Sequence, residues 1–179
     1  MKLLAIPATL AALLLTLVVF AGGDGPPALV CGGGPTEVVL ATIRTVESGG
    51  DYHAHATGST ASGAYQFLDS TWANYAGYTR AADAPPDIQD AKATTQVAAI
   101  LTAHNNDVTA VPVVWYIGHV PPAGSSEWDT IPAPRAGNTL TPREYQQHWL
   151  GVYYTHLQSA PPTSASAIGA VPTNVTSTR

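Results

Sequence analysis

Apolar side chains recur at helical spacing only between about residues 36 and 158 of this chain. An apolar run and a Gly/Pro-rich segment precede that stretch, and Pro, Ser, Thr and Ala follow it without helical periodicity. A core can therefore form only in the middle of the chain, and the spacing there favours helices. The total of 179 residues allows one ordinary domain with short appendages. The sequence predicts a mainly α, single globular domain over residues 36–158.

Helix start and stop signals divide this stretch. Thr36 can cap a first helix, which the pair Gly49 and Gly50 should end. A short helix is expected over residues 70–75, with Asp69 and Ser70 as caps, and a longer one over residues 85–105.

The second half of the domain carries one ambiguous and one clear signal. Residues 111–117 are apolar and β-branched, which favours a strand, whereas Pro112 suits the first turn of a helix. Residues 141–144 read Thr-Pro-Arg-Glu, a capping box with Pro at the first helical position. The apolar residues of the helix that follows are Tyr145, Trp149, Val152 and Leu157.

The flanking segments predict export. Lys2 followed by an apolar run makes residues 1–23 typical of a cleaved signal peptide or of an uncleaved membrane anchor. Residues 24–35 are expected to be a Gly/Pro-rich linker, and residues 159–179 a disordered tail. The product should be secreted, associated with the cell wall, or anchored in a membrane and facing outward.

Composition excludes several classes of protein. A formal net charge of -5 argues against a nucleic-acid binder, which usually carries a basic patch, and against electrostatic attachment to anionic lipid. The single cysteine, Cys31, excludes an internal disulfide. His53 and His55 form an H-x-H pair without evident companion ligands. We therefore expect no metal and no cofactor.

Glu47 is the acidic residue with the most informative position. It follows Leu40 and Ile43 at the i, i+3, i+7 spacing of one helix face, so it continues an apolar stripe. Desolvation and the negative end of the helix dipole should both raise the pKa of its carboxyl. A carboxyl that stays protonated near neutral pH can act as a general acid. Pairing with Arg44 would oppose this, and a solvent-facing glutamate at a frayed helix end is the alternative.

Three sequence blocks, in order, give the stretch a resemblance to a known family. Residues 43–52 read Ile-Arg-Thr-Val-Glu-Ser-Gly-Gly-Asp-Tyr, residues 62–67 read Ser-Gly-Ala-Tyr-Gln-Phe, and residues 114–118 read Val-Trp-Tyr-Ile-Gly. Together they resemble the soluble lytic transglycosylase branch of the lysozyme-like superfamily, and they are similar also to resuscitation-promoting-factor domains. The resemblance implies a lysozyme-like fold, a glycan substrate and action on peptidoglycan by a monomer.

The same resemblance implies roles for five residues. Glu47 stands where the family has its catalytic acid, and Tyr116 where it has the tyrosine that contacts that acid. Ser48, Tyr65 and Gln66 would line the sugar cleft, although Tyr65 can equally be a core aromatic.

The third block departs from the family at one position. Ile117 occupies the place of the usual Asn, so the sugar contact normally made by that Asn is in doubt.

The acids of the domain favour a mechanism with one carboxylate. A glycoside hydrolase ordinarily needs a second carboxylate as base or nucleophile. Asp51 follows two glycines, Asp69 resembles a helix cap, and Glu127 and Asp129 lie in a Pro/Gly/Ser-rich loop. None of these is a strong partner for Glu47. Lytic transglycosylases manage with one acid, which deprotonates the sugar's own 6-hydroxyl and yields 1,6-anhydromuropeptides.

Three alternatives stay open at this point. A muramidase would cleave the same MurNAc–GlcNAc bond with water. A non-catalytic wall-binding or resuscitation-type module would keep the fold without turnover, and Ile117 motivates this possibility. An exported helical scaffold would leave the first two blocks unexplained.

Overall fold

The computed structural model describes residues 35–134 and 137–160. The predicted export segment and most of the predicted linker and tail lie outside these residues. The described part contains five α-helices: α1 (Pro35–Ser48), α2 (Asp69–Trp72), α3 (Pro86–Ala103), α4 (Ala110–Ile117) and α5 (Pro142–Ser159). Short 3-10 turns lie at Tyr75–Gly77, Ala81–Asp83 and Ser126–Asp129. In this part of the chain the only extended pairing consists of two isolated bridges, His55–Ser62 and Ser62–Phe67. The predicted mainly α, single-domain fold is confirmed.

Helix α1 ends as the two glycines require. The Gly50 N–H donates to the carbonyl of Arg44, six residues earlier, and both Gly49 and Gly50 have positive φ angles. The Gly49 N–H donates to the carbonyl of Thr45, four residues earlier, which is the bond of a left-handed helix end that glycine makes cheaply. The start of α1 differs from the expectation by two positions. A cap at Thr36 predicts a helix from residue 37, whereas the helix begins at Pro35 and Thr36 lies inside its first turn.

The short helix α2 is shorter than expected and capped differently. It ends at Trp72, where Ala73 takes a left-handed conformation, and the separate 3-10 turn follows. Leu68, not Asp69, is the N-cap residue, and its side chain makes no capping hydrogen bond. Asp69 instead lies in the first turn, 3.7 Å from the Arg80 guanidinium.

Helix α3 follows its sequence signals closely. It starts behind Pro85 and stops before Asn105 and Asn106, which both have positive φ angles. Asparagine tolerates that conformation better than other residues with a side chain, so the pair ends the helix.

Residues 111–117 are helical, so the local preference for a strand is wrong and the Pro112 signal is correct. Pro112 occupies the first turn of α4, where its missing N–H costs no hydrogen bond. The β-branched residues around it are accepted because the helix is buried between α3 and α5.

Helix α5 packs against both α1 and α4. Its capping box is present: the Thr141 hydroxyl accepts from the Glu144 N–H, and the Glu144 carboxylate accepts from the Thr141 N–H. The buried face of α5 consists of Pro142, Tyr145, Trp149 and Tyr153. Leu157, which the sequence placed on that face, is instead exposed. No helix within the described residues is long and apolar enough to cross a membrane.

Candidate active site

Glu47 lies in the last turn of α1 with its carboxyl in the interior. Only 2% of the residue is exposed, and Ile43, one turn earlier on the same face, is fully buried. The apolar stripe therefore predicted the direction of this side chain correctly, and the solvent-facing alternative is wrong. A buried carboxyl needs a hydrogen-bond partner or a proton, because an isolated charge in the interior is very costly.

The hydrogen-bond partner of Glu47 is Tyr145 of α5. The phenol of Tyr145 donates to the Glu47 carboxylate, and both residues are buried. The expectation that Tyr116 makes this contact is wrong: its hydroxyl donates to the carbonyl of Leu140 at 2.9 Å. Tyr116 instead contacts the partner of Glu47. Its ring stacks on that of Tyr145, with centroids 4.3 Å apart and planes 8° from parallel.

Sequence reasoning placed Tyr145 on a buried helix face but did not connect it with Glu47. The two residues are 98 positions apart, and their contact depends on how α1 and α5 cross. One signal was present: a phenol in a core usually has a polar partner for its hydroxyl. The buried carboxyl predicted on the α1 stripe was an available partner.

Burial controls the acidity of the Glu47 carboxyl. Desolvation raises its pKa to about 7, and the hydrogen bond from Tyr145 opposes that rise. Burial and the neighbouring carboxylate also raise the pKa of Tyr145 well above its ordinary value, so the phenol keeps its proton. With a pKa near 7, Glu47 is present in both protonation states at neutral pH. The carboxyl can therefore release a proton and take one back.

Arg44 does not neutralise Glu47, although it lies only three residues before it. Its guanidinium donates to Glu37 at 2.6 Å and to Asp90 at 3.2 Å. It also donates to the Tyr65 hydroxyl at 2.8 Å. The guanidinium of Arg44 therefore binds groups other than Glu47. It does not lower the pKa of Glu47, which burial raises.

Tyr65 belongs to the core in this structure. It is fully buried, and its hydroxyl donates to the Asp90 carboxylate at 2.6 Å while accepting from Arg44. This placement favours the core-aromatic alternative over the role of a sugar contact. Its ring also lies near the aromatic rings of Tyr52, Phe67 and Trp115.

Gln66 has two unusual properties. Its backbone φ is 51°, a left-handed conformation that is uncommon for a residue with a side chain. Its side-chain nitrogen donates to the Gly63 carbonyl at 2.9 Å, but its buried Oε1 has no hydrogen-bond partner among the described residues. Buried acceptors are normally satisfied, so a free one indicates a function or a missing partner. Gln66 thus holds a buried acceptor that its surroundings in the described residues leave unsatisfied.

Ser48 connects Glu47 with the segment that carries Gln66. The Ser48 hydroxyl lies 2.8 Å from the Ala64 carbonyl and 3.3 Å from that of Arg44. The end of α1, which carries Glu47, is therefore joined to residues 63–66. Whether Ser48 and Gln66 bind a sugar remains a prediction.

The other acids considered from the sequence have partners elsewhere. Asp51 accepts from the His53 N–H at 2.8 Å, and Glu127 pairs with His119 at 2.9 Å. Asp129 pairs with Arg143 at 2.7 Å. Across residues 35–134 and 137–160, no group of three or more His, Cys, Asp or Glu side chains could hold a metal ion.

Comparisons with known proteins bear on the class of this domain. Residues 34–100 match the family model of the transglycosylase-like domain, a range that includes Glu47, Ser48 and Gln66. Over 59 residues the chain is 51% identical to the probable transglycosylase SceD 2 of Staphylococcus saprophyticus subsp. saprophyticus. That match covers 30% of this chain and 23% of the relative. No solved structure matches at the same level of significance. The resemblance to a lytic transglycosylase-like family is confirmed for this part of the chain.

Removal of the Tyr145 hydroxyl should shift the titration of Glu47. The hydrogen bond from Tyr145 lowers the pKa of the carboxyl, so Tyr145→Phe should move that pKa upward from about 7. The titration of the Glu47 side-chain carbon in NMR spectra measures it. Tyr153→Phe is the matched control, because Tyr153 is also buried on α5 but stacks on Trp149. A Glu47 pKa that falls, or that moves equally in both variants, would contradict this account.

Proposed function

We propose that the protein is a peptidoglycan lytic transglycosylase that cleaves the MurNAc–GlcNAc bond with Glu47 as its one catalytic carboxyl. The observation that carries the proposal is the buried Glu47, whose pKa of about 7 suits proton transfer in both directions. The transglycosylase-like match over residues 34–100 supports the same class of reaction.

The proposed reaction returns Glu47 to its starting state. The protonated carboxyl gives its proton to the glycosidic oxygen, and the bond from the MurNAc C1 to that oxygen breaks with its electron pair going to oxygen. The resulting carboxylate then takes the proton of the MurNAc 6-hydroxyl. The O6 atom forms a bond to C1, which closes the 1,6-anhydro ring. Glu47 is protonated again, and no water is consumed.

The surroundings of Glu47 suit the two halves of this cycle. Tyr145 donates a hydrogen bond that stabilises the carboxylate formed after the first proton transfer. Burial stabilises the protonated form, so neither state is strongly preferred. Because the carboxyl is covered in this structure, sugar binding must open the site far enough for the glycosidic oxygen to reach it.

Two further residues are proposed to contact the sugar. The free Oε1 of Gln66 is an acceptor for an acetamido N–H or a hydroxyl once the site opens. Ser48, the chain neighbour of Glu47, donates to the carbonyl of Ala64, two residues before Gln66. Tyr65 is not included, since its hydroxyl is committed to Arg44 and Asp90. Tyr116 supports Tyr145 by stacking. We also propose export to the cell wall, which residues 1–23 motivate.

A non-catalytic wall-binding module is the second candidate. Ile117 motivates it, because this residue is buried in α4 at the position where the family has a sugar-binding Asn. Digestion of purified, insoluble peptidoglycan by the intact protein separates the two functions. A transglycosylase releases soluble fragments in proportion to time and enzyme. Binding to the insoluble wall without any release would overturn the catalytic proposal in favour of the module.

A further inference from the structure

Gln89 of α3 is a fully buried polar residue to which neither the sequence nor the proposed reaction gives a role. Its Oε1 accepts from the Ala64 N–H at 2.9 Å. Its Nε2 donates to the carbonyls of Tyr52 at 3.0 Å and Ala84 at 2.9 Å. Both amide hydrogens and the amide oxygen are therefore used. One side chain connects three separate segments with α3.

Residues 63–66, called here the 63–66 turn, are held from two sides at Ala64. Gln89 binds the N–H of Ala64, and the hydroxyl of Ser48 binds its carbonyl at 2.8 Å. The turn itself is closed by the Gln66 N–H donating to the Gly63 carbonyl at 3.2 Å. Since Ser48 is the neighbour of Glu47, these bonds fix the 63–66 turn relative to the end of α1.

Gly63 shows how closely the turn fits around the Gln89 amide. A Cβ atom on Gly63 would lie 2.3 Å from Oε1 of Gln89, far inside any contact that real Cβ atoms make. The φ angle of Gly63 is also positive, at 76°, which disfavours a side chain independently. The left-handed Gln66 follows three residues later. Strained conformations of this kind persist only when surrounding contacts determine them.

We propose that Gln89 is a positioning residue that holds the 63–66 turn so that the acceptor of Gln66 stays in fixed register with Glu47. The idea rests on the proposed function, because it assigns Gln66 to the sugar. Gln89 itself touches no substrate. It acts through Ala64, and its loss lets the turn relax and moves Gln66. A displacement of about 1 Å at a catalytic site can cost up to about 100-fold in rate.

A double-mutant cycle tests this coupling. Gln89→Met keeps the length of the side chain and removes all three hydrogen bonds, and Gln66→Ala removes the proposed sugar contact. Binding of a soluble GlcNAc–MurNAc tetrasaccharide is measured by calorimetry in a Glu47→Gln background, where the probe should not be cleaved. We expect Gln89→Met to weaken binding about tenfold when Gln66 is present and less than about twofold when it is Ala. The same cycle on KM and kcat for wall glycan should show the same coupling.

The controls separate positioning from general stability. Gln96→Met makes the same change on the same helix at a half-buried position and should leave binding unchanged. If Gln89→Met weakens binding by the same factor with Gln66 and with Ala at position 66, the two residues are independent and the inference is overturned. Failure of the parent protein to bind the tetrasaccharide would also overturn it. The binding measurement does not depend on whether Glu47 is the catalytic acid. Failure of the proposed function shows instead as an absence of cleavage by the parent protein.

If Gln89→Met does not fold, a second variant tests whether Gln89 positions the 63–66 turn. Gln89→Glu keeps an acceptor for the Ala64 N–H but loses the donors to Tyr52 and Ala84. Positioning through Ala64 predicts a less stable protein that still binds the tetrasaccharide within about threefold of the parent. A binding loss that follows the loss of stability would overturn the inference.

Discussion

Glu47→Gln is expected to reduce release of peptidoglycan fragments by about 10²–10⁴-fold, the range typical for loss of a general acid. The substitution preserves the shape of the side chain and leaves an oxygen to accept the hydrogen bond from Tyr145. An amide nevertheless cannot protonate the glycosidic oxygen or take the proton of the 6-hydroxyl. The initial rate of fragment release from purified wall is the measurement.

Glu127→Gln is the matched control for this variant. Glu127 was one of the acids considered as a second carboxylate, and its side chain pairs with His119 at the surface. A one-carboxylate mechanism predicts that this variant cleaves at the parental rate. Retained cleavage by Glu47→Gln would remove Glu47 from its role, and a large loss in Glu127→Gln would show that a second acid takes part.

The same Glu47→Gln variant should be more stable than the parent at alkaline pH. The pKa of Glu47 is raised to about 7 in the folded protein, against an ordinary value of 4.5. The folded state therefore binds more protons than the unfolded state between these values, and the parent's stability falls as pH rises through that window. The stabilising contribution of the protonated carboxyl is fully present below pH 4.5 and lost above about pH 7. A glutamine does not titrate and escapes this loss.

The size of this effect follows from the pKa difference. Each unit corresponds to about 1.4 kcal/mol, so the shift allows roughly 3 kcal/mol of added stability for Glu47→Gln at pH 8. Denaturant unfolding of both proteins at pH 8 and at pH 4.5 measures the free energy of unfolding at each pH. We expect a clear advantage of the variant at pH 8 that largely disappears at pH 4.5. Equal pH dependence of the two proteins would show that the Glu47 carboxyl is not desolvated as described.

Local signals predicted much of the fold. The capping box at Thr141 and Glu144, the glycines after α1 and the asparagines after α3 all mark helix ends in the structure. These signals are reliable because each depends on backbone geometry within a few residues. The buried position of Glu47 was predictable for the same reason, since it needs only the periodicity of one helix.

Features that depend on packing between distant segments were not predictable in this way. Residues 111–117 have a local preference for a strand, and only burial between α3 and α5 makes the helix favourable. The partner of Glu47 is Tyr145 and not the expected Tyr116, and this contact also depends on packing between distant segments. Tyr116 stands at the place of the family's tyrosine, but the crossing of α1 and α5 brings a different phenol to the carboxyl.

The hydrogen-bond partners of polar groups inside the domain were likewise not predictable from the sequence. Tyr65 and Gln66 are adjacent in one block, yet Asp90 and Arg44 fix the first in the core while the second keeps a free acceptor. Gln89 gave no signal in the sequence, because a buried amide and an exposed one cannot be distinguished without knowledge of their partners. Its three hydrogen bonds become visible only in the folded structure.

The masses of the fragments released from purified peptidoglycan test the central claim most directly. A single carboxylate that returns its proton through the sugar's own 6-hydroxyl predicts 1,6-anhydromuramoyl ends, each lighter by one water than a hydrolysed end. Mass spectrometry of the soluble products distinguishes the two directly. Anhydro ends formed by the parent protein and absent with Glu47→Gln are the predicted result. Reducing ends that carry an added water, without anhydro ends, would contradict the mechanism and identify a muramidase.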